Sequence, residues 1–434
     1  MFSNSSNRHV RSNTRLPEKG MKQLALVLFI TVLLCGLLRA DQWTRFRGPN
    51  GQGHSPATNL PTSWNPEDYR WTTTLPGPGH SSPVIWGDKL FITCCDPETP
   101  SGTILALSTS TGEILWQKTY PLEKAQMNTL NSYASTSPVV DKDGVYVIWP
   151  TVNDTIVVAL DHVGNEIWKE TFGETVCKHG PSVSPMLFDG LVIFSHEQEA
   201  NDRGLNSRWL ALDCKTGQIR WDTPRNNERL SYSTPCVYTD TVGKKQLIFS
   251  GHAHGISGVD PKTGTVLWDA GNFTARTVAS PVVGESIVVA TCGAGGSGKV
   301  LEAVKPGLEG RPAEKLYTIE DRTVPFVPTP LLAGKRLYTF HDGGTVVCRN
   351  VETGDVLWSE KPGGKFYGSP VCANGVIYCI NTDGEVIVLK EAAEYQKLAT
   401  VPLGEKSQAT PAVADGVMYL RTLTKVMALG PVSK

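Results

Sequence analysis

The sequence predicts an all-β chain: an eight-bladed β-propeller of four-stranded antiparallel blades, closed by an N-terminal strand that completes the last blade. Three observations predict it. A Ser-Pro or Thr-Pro dipeptide leading into an apolar run recurs eight times between residues 82 and 411. A Thr-Gly corner followed by a strand ending in Trp recurs between those starts. A strand-like segment near residue 70 precedes the first start with no earlier strands of its own, while the last start is followed by only three strands. Self-similarity at a period of about forty to fifty residues marks a repeat architecture.

The starts come first in each repeat. Ser82-Pro83-Val84-Ile85, Ser137-Pro138-Val139-Val140, Ser184-Pro185-Met186-Leu187, Thr234-Pro235-Cys236-Val237 and Ser280-Pro281-Val282-Val283 are continued by Thr329-Pro330-Leu331, Ser369-Pro370-Val371 and Thr410-Pro411-Ala412. A turn and second strand follow, as in Asp143-Gly144-Val145 and Asn374-Gly375-Val376; Asp-Gly and Asn-Gly accept the positive φ values of hairpin turns. The third strand ends in Ala-Leu, as at Leu105-Ala106-Leu107 and Leu210-Ala211-Leu212-Asp213. The fourth carries the strongest signal, Thr111-Gly112-Glu113-Ile114-Leu115-Trp116, matched at Thr216–Trp221, Thr263–Trp268 and Thr353–Trp358 and nearly at Gly164–Trp168. Four strands of this length make a blade with two wet faces, so blades must pack around an axis. The Trp offers its neighbour a large flat surface. Around Lys315-Leu316-Tyr317 and Lys397-Leu398-Ala399 both corner and Trp are missing, and these blades are counted by spacing alone. Residues 64–75 are expected to supply the outer strand of the last blade, with Trp71 in the packing position. The domain plan is an N-terminal signal region at 1–40, a leader at 41–63 and the propeller at 64–430.

Lys plus Arg (41) nearly cancels Asp plus Glu (42), so no global field steers the chain to nucleic acid, and none is expected as a partner. Arg8, Arg11, Arg15, Lys19 and Lys22 precede an uncharged run from Leu24 to Leu38, then Arg39-Ala40-Asp41, which is the shape of a signal peptide. The run is short of the roughly 20 residues of a membrane-spanning helix. Cleavage after Ala40 is expected; acylation on Cys35 and retention as an anchor, giving membrane attachment, are the alternatives, and Met21 is an alternative start. Either way the remainder is exported, to a periplasmic or other extracytoplasmic location. The cysteines beyond Cys35 are odd in number and lie mostly in apolar strands, where Cys behaves as a small hydrophobe.

Taken together, Ala-Leu-Asp, Thr-Gly-x-x-x-Trp and Ser-Pro-Val-Val resemble the pyrroloquinoline quinone (PQQ) repeat family over roughly residues 65–430, and the leader Trp43-Thr44-Arg45-Phe46-Arg47-Gly48-Pro49-Asn50-Gly51 looks like the one found before such repeats in secreted propellers. The resemblance implies the fold and leaves two activities open. BamB-type propellers bind polypeptide without a cofactor; quinoprotein dehydrogenases hold the quinone and a Ca²⁺ ion on the axis. The expectation is a non-enzymatic binding or scaffolding propeller, without cofactor or metal, whose protein or glycan partner sits on the propeller face. The alternative is a PQQ- and Ca²⁺-dependent oxidoreductase acting on alcohols or sugars. No motif places the Glu, Asn and Asp set of those enzymes, and no Cys-x-x-Cys-His for haem is present.

Propeller geometry puts the loops entering first strands, and those joining second to third strands, on one face. Residues just before each start should ring the funnel: His80, Tyr133, His179, Tyr232, Arg276, Phe326, Tyr367 and Gln408. The second-to-third loops add Cys94-Cys95, His196-Glu197, His252-Ala253-His254 and His341-Asp342. Histidines and aromatics at a concave mouth fit a small-molecule or peptide site. Cys94-Cys95 resembles the adjacent-cysteine disulfide that covers the quinone in some alcohol-oxidising members, and Glu197 and Asp342 are cofactor candidates by location. His252 and His254 lack the further ligands that a metal needs. Gly293–Val300 imitates a phosphate loop, but Val300 replaces the hydroxyl residue and a strand follows where a helix is required.

Overall fold

The computed structural model describes Met1 and residues 42–124, 127–180, 182–295, 297–308 and 310–430; the signal region read at 1–40 lies outside these apart from Met1. Eight antiparallel four-stranded blades follow one another along the chain, each built from consecutive strands in order except the last, and the seventh gains a fifth, parallel strand from the leader. Blade 1 comprises Val84–Trp86, Lys89–Asp96, Ser101–Ser108 and Ile114–Pro121, and blades 2 to 7 begin in turn with the innermost strands Val139–Val140, Met186–Phe188, Cys236–Thr239, Val282–Val283, Leu331–Ala333 and Val371–Ala373. Blade 8 comprises Ala412–Ala414, Val417–Arg421, Lys425–Leu429 and the N-terminal strand Tyr69–Thr74. That strand pairs antiparallel with Lys425–Leu429, placing Trp71 opposite Ala428. The closing strand is shorter than residues 64–75: Pro66–Asp68 form a 3-10 turn before it, and Trp64 packs into the core, its indole N–H on the Tyr69 hydroxyl at 2.9 Å.

Each recurring residue type answers a packing demand. The outer-strand Trp lies across from a small residue of the third strand: Trp116 from Ala106, Trp168 from Ala159, Trp221 from Ala211, Trp268 from Gly258. This is why the third strand reads Ala-Leu. The Trp116 indole N–H then donates to the His162 carbonyl of blade 2 at 3.0 Å, Trp168 to Cys214 at 2.8 Å, Trp221 to Pro261 at 3.1 Å and Trp71 to Thr109 at 2.9 Å. The corner glycine of the receiving blade lies flat on that indole. A Cβ on Gly217 would stand 2.8 Å from the Trp168 ring, and one on Gly264 2.7 Å from Trp221. In the first of the two blades read by spacing alone, Tyr317 takes the Trp position and reaches the Val351 carbonyl with its hydroxyl at 2.7 Å.

The Ser/Thr-Pro starts form a second, inner ring. Ser82 N–H donates to the Ser137 hydroxyl at 2.8 Å, and Ser137 N–H to Ser184 at 3.0 Å. The pattern continues from Thr234 to Ser280, Ser280 to Thr329, Thr329 to Ser369 and Ser369 to Thr410. Thr410 N–H returns to Ser82 at 3.2 Å. The following Pro removes an N–H that an inner edge strand would otherwise leave unpaired.

The leader threads this ring. Trp43 exchanges backbone bonds with Ile85, Val140 N–H donates to the Thr44 carbonyl, and Asn50 makes paired 2.7 Å bonds to the backbone of Val237. Val283 N–H donates to Gln52, His54 bonds the Leu332 carbonyl, and His54–Ser55 adds a parallel strand beside Val371–Ala373. The leader thus touches the innermost strands of blades 1, 2, 4, 5, 6 and 7. Gly48 holds φ 67° with the Trp43 ring where a Cβ would stand.

Candidate functional site

All eight ring residues line one cavity of about 400 Å³. Phe46 also lines it. Its neighbours Arg45 and Arg47 are buried below, where Arg45 donates to the Pro235 carbonyl at 2.6 Å and Arg47 to Pro370 at 3.2 Å. Those prolines directly follow the ring members Thr234 and Ser369, so the leader closes the channel beneath the ring and Phe46 forms the funnel floor. The upper wall comes from residues preceding the ring. His80, His179, Tyr232 and Arg276 line it, as do Phe326, Tyr367 and Gln408.

Tyr133 is not among the lining residues. Its loop between blades 1 and 2 instead contributes Asn128, Leu130 and Asn131; Asn131 is fixed by donating to the carbonyls of His179 and Gly180. Cys94, Cys95, His196, Glu197, His252, His254, His341 and Asp342 of the second-to-third loops also stay outside the lining, which Gly295 of another such loop does reach.

Glu197 is fully buried and accepts from Trp209 Nε1 at 3.0 Å, Asn227 Nδ2 at 2.8 Å and Ser231 N–H at 2.9 Å. Asp342 accepts from the backbone of Phe326 and Val327. Burial pushes Glu197 up to about 7 and Asp342 up to about 6. Each carboxyl therefore fastens a funnel-entry loop from behind. His196 is buried beside Thr175 and Arg208, and burial holds it down at about 4. His252 accepts from Glu228 N–H, whereas His254 contacts Asn226 and Asp269, so the two imidazoles have separate partners. His341 accepts from Gly343 N–H at 2.8 Å.

Cys94 and Cys95 are free thiols on consecutive positions of a regular strand, opposite Thr103 and Gly102. Successive strand side chains point to opposite faces. Burial raises both thiols above their ordinary value, which leaves little nucleophilic thiolate.

Inside the funnel, burial and the nearby Arg421 guanidinium hold His80 down at about 4, so its imidazole is neutral at pH 7. Arg276 pairs with the buried Glu199 behind the wall, its Nε 3.0 Å from the carboxylate. Among the described lining residues there is no Asp or Glu. Calcium takes six to eight oxygens, carboxylates prominent among them, and the hydroxyls and amides present do not fit a quinone and Ca²⁺ pair. No described His, Cys, Asp and Glu side chains cluster in threes as metal ligands. Phe46, Asn131, Val278 and the buried arginines escaped sequence reasoning; only the unusual Arg-x-Arg-Gly-Pro leader pointed near them.

BamB from Moraxella catarrhalis is similar in structure over 84% of this chain and 97% of its own, at 15% identity and a TM-score of 0.57. Quinohemoprotein alcohol dehydrogenase from Comamonas testosteroni matches over 93% and 82%, at 13% identity and a TM-score of 0.64. The computationally designed Ika8 protein matches over 82% and 98%, at 13% identity and a TM-score of 0.56. At these identities the likeness is one of fold. No curated protein matches the sequence. A family profile described as outer membrane protein assembly factor BamB matches residues 62–161, 100–307 and 323–431, and the chain belongs to that family.

Proposed function

We propose that this chain is an exported, non-enzymatic propeller that holds a polypeptide partner in its axial funnel. The observation that carries the reading is the funnel itself: a cavity of about 400 Å³, floored by Phe46 and walled by every blade with aromatics and hydroxyls, and without a carboxylate among the described lining residues. Concave sites of this size bury a few side chains of a ligand. Membership in the BamB family supports a protein partner, and the charged and apolar N-terminal pattern supports export.

The test is a photo-crosslinking residue at Tyr367, compared with one at Leu115, an exposed outer-strand position, in the full chain within its native cell. Polypeptide adducts from position 367 that vanish when Val278→Trp fills the funnel are expected. Adducts from position 115 alone would refute the reading. Glycan binding abolished by Val278→Trp, without polypeptide adducts, would move the assignment to a glycan.

A further inference from the structure

We propose that the funnel holds its ligand by a carboxylate, so that the bound polypeptide presents an acidic side chain or a free C-terminus; this rests on the binding reading above. The first support is an accounting of hydroxyls. Seven ring hydroxyls accept a backbone N–H from the preceding blade. A hydroxyl that accepts still has one proton to donate, and none of the seven donates to an acceptor among the described residues. Donors therefore gather around the axis, and the group that satisfies them must be rich in acceptors.

The second support is charge. Arg45, Arg47 and Arg421 are all buried, and none has an ion-pair partner among the described residues. Each bonds a residue adjacent to a ring member: Pro235 beside Thr234, Pro370 beside Ser369, and Ser81 beside Ser82. Desolvation lowers Arg45 to about 10 and Arg47 to about 9, which leaves both protonated at neutral pH. The Nε atoms of all three are buried and unpartnered, as is Nδ1 of His80 in the wall. Uncompensated buried charge is costly, and an opposite charge placed near it recovers part of that cost. Three cations beside a ring of donors, facing a lining without carboxylates, select an anion over a neutral acceptor.

Calorimetric titration of the full chain tests this with succinate against succinamide. N-acetyl-pentaalanine with a free C-terminus, its C-terminal amide, and an N-acetyl, C-amidated Ala-Ala-Asp-Ala-Ala distinguish the sources of the carboxylate. Succinate should bind at least about tenfold more tightly than succinamide, and less tightly as salt rises from ~50 to ~500 mM. One of the acidic peptides should exceed the neutral one by a similar factor. Val278→Trp should abolish binding, and Arg45→Gln, checked for folding by circular dichroism, should weaken succinate while leaving succinamide unchanged. Acid and amide binding equally, both lost in Val278→Trp, would overturn the carboxylate and leave the binding reading standing. Acid binding that survives Val278→Trp would overturn the site.

Discussion

Closure of the ring by the N-terminal strand makes Trp71 as important to stability as any interior tryptophan, although it lies near one end of the described chain. Trp71 is 9% exposed against 6% for Trp221. Its N–H bonds Thr109 at 2.9 Å where that of Trp221 bonds Pro261 at 3.1 Å, and each lies flat on a corner glycine of the next blade. Truncating a buried aromatic of this size costs about 3–5 kcal/mol, and the lost hydrogen bond adds about 0.5–1.5 kcal/mol. Trp71→Ala and Trp221→Ala should thus be destabilised alike, with melting temperatures lowered by several degrees at about 2 °C per kcal/mol. The assay is thermal unfolding followed by circular dichroism on both variants. A Trp71→Ala protein that melts like the wild type, beside a weakened Trp221→Ala, would refute closure.

The corner glycines can be separated from mere turn glycines. Gly217→Ala and Gly190→Ala both place Ala at positive φ, at about 1–2 kcal/mol, but only the former drives a Cβ into an indole; Gly217→Ala should have the clearly lower urea midpoint. Thr410→Val keeps the shape but removes the acceptor of the Ser369 N–H and should cost about 1–3 kcal/mol in equilibrium unfolding. Glu197, raised by burial from 4.5 to about 7, keeps in the folded state a proton that the unfolded chain has released, so its contribution falls as pH rises through that window. The stability of Glu197→Gln relative to wild type should therefore climb between about pH 4.5 and 7 in denaturant titrations; a flat difference would contradict that carboxyl's burial.

The blade repeat was legible because each signal residue serves one constraint that recurs: Trp116 needs Ala106 across from it and a neighbouring carbonyl, and Ser82 needs Ser137. Tyr317 was not legible as a Trp substitute, because its hydroxyl reaches Val351 only once the blades are placed. The funnel was half legible. Residues preceding the starts, such as Tyr232 and Phe326, follow the axis by topology alone, and they do line it. Glu197, Asp342 and the histidines of the outer loops share the face but not the lining, and sequence position cannot separate the two. The leader was opaque: nothing in Arg45-Phe46-Arg47 announces that it crosses a channel, since its partners Pro235, Leu332 and Cys372 lie hundreds of residues away.

Seating of the polypeptide partner in the axial funnel, against Phe46 at its floor, is the step on which the proposed function rests. It is tested most directly by ¹⁹F NMR of 4-fluorophenylalanine at Phe46, compared with the same label at Phe188, away from the funnel lining. With the polypeptide captured from position 367 added, the Phe46 resonance should shift, the Phe188 resonance should stay, and Val278→Trp should cancel the shift. A shift at Phe188 with Phe46 unmoved would contradict that seating.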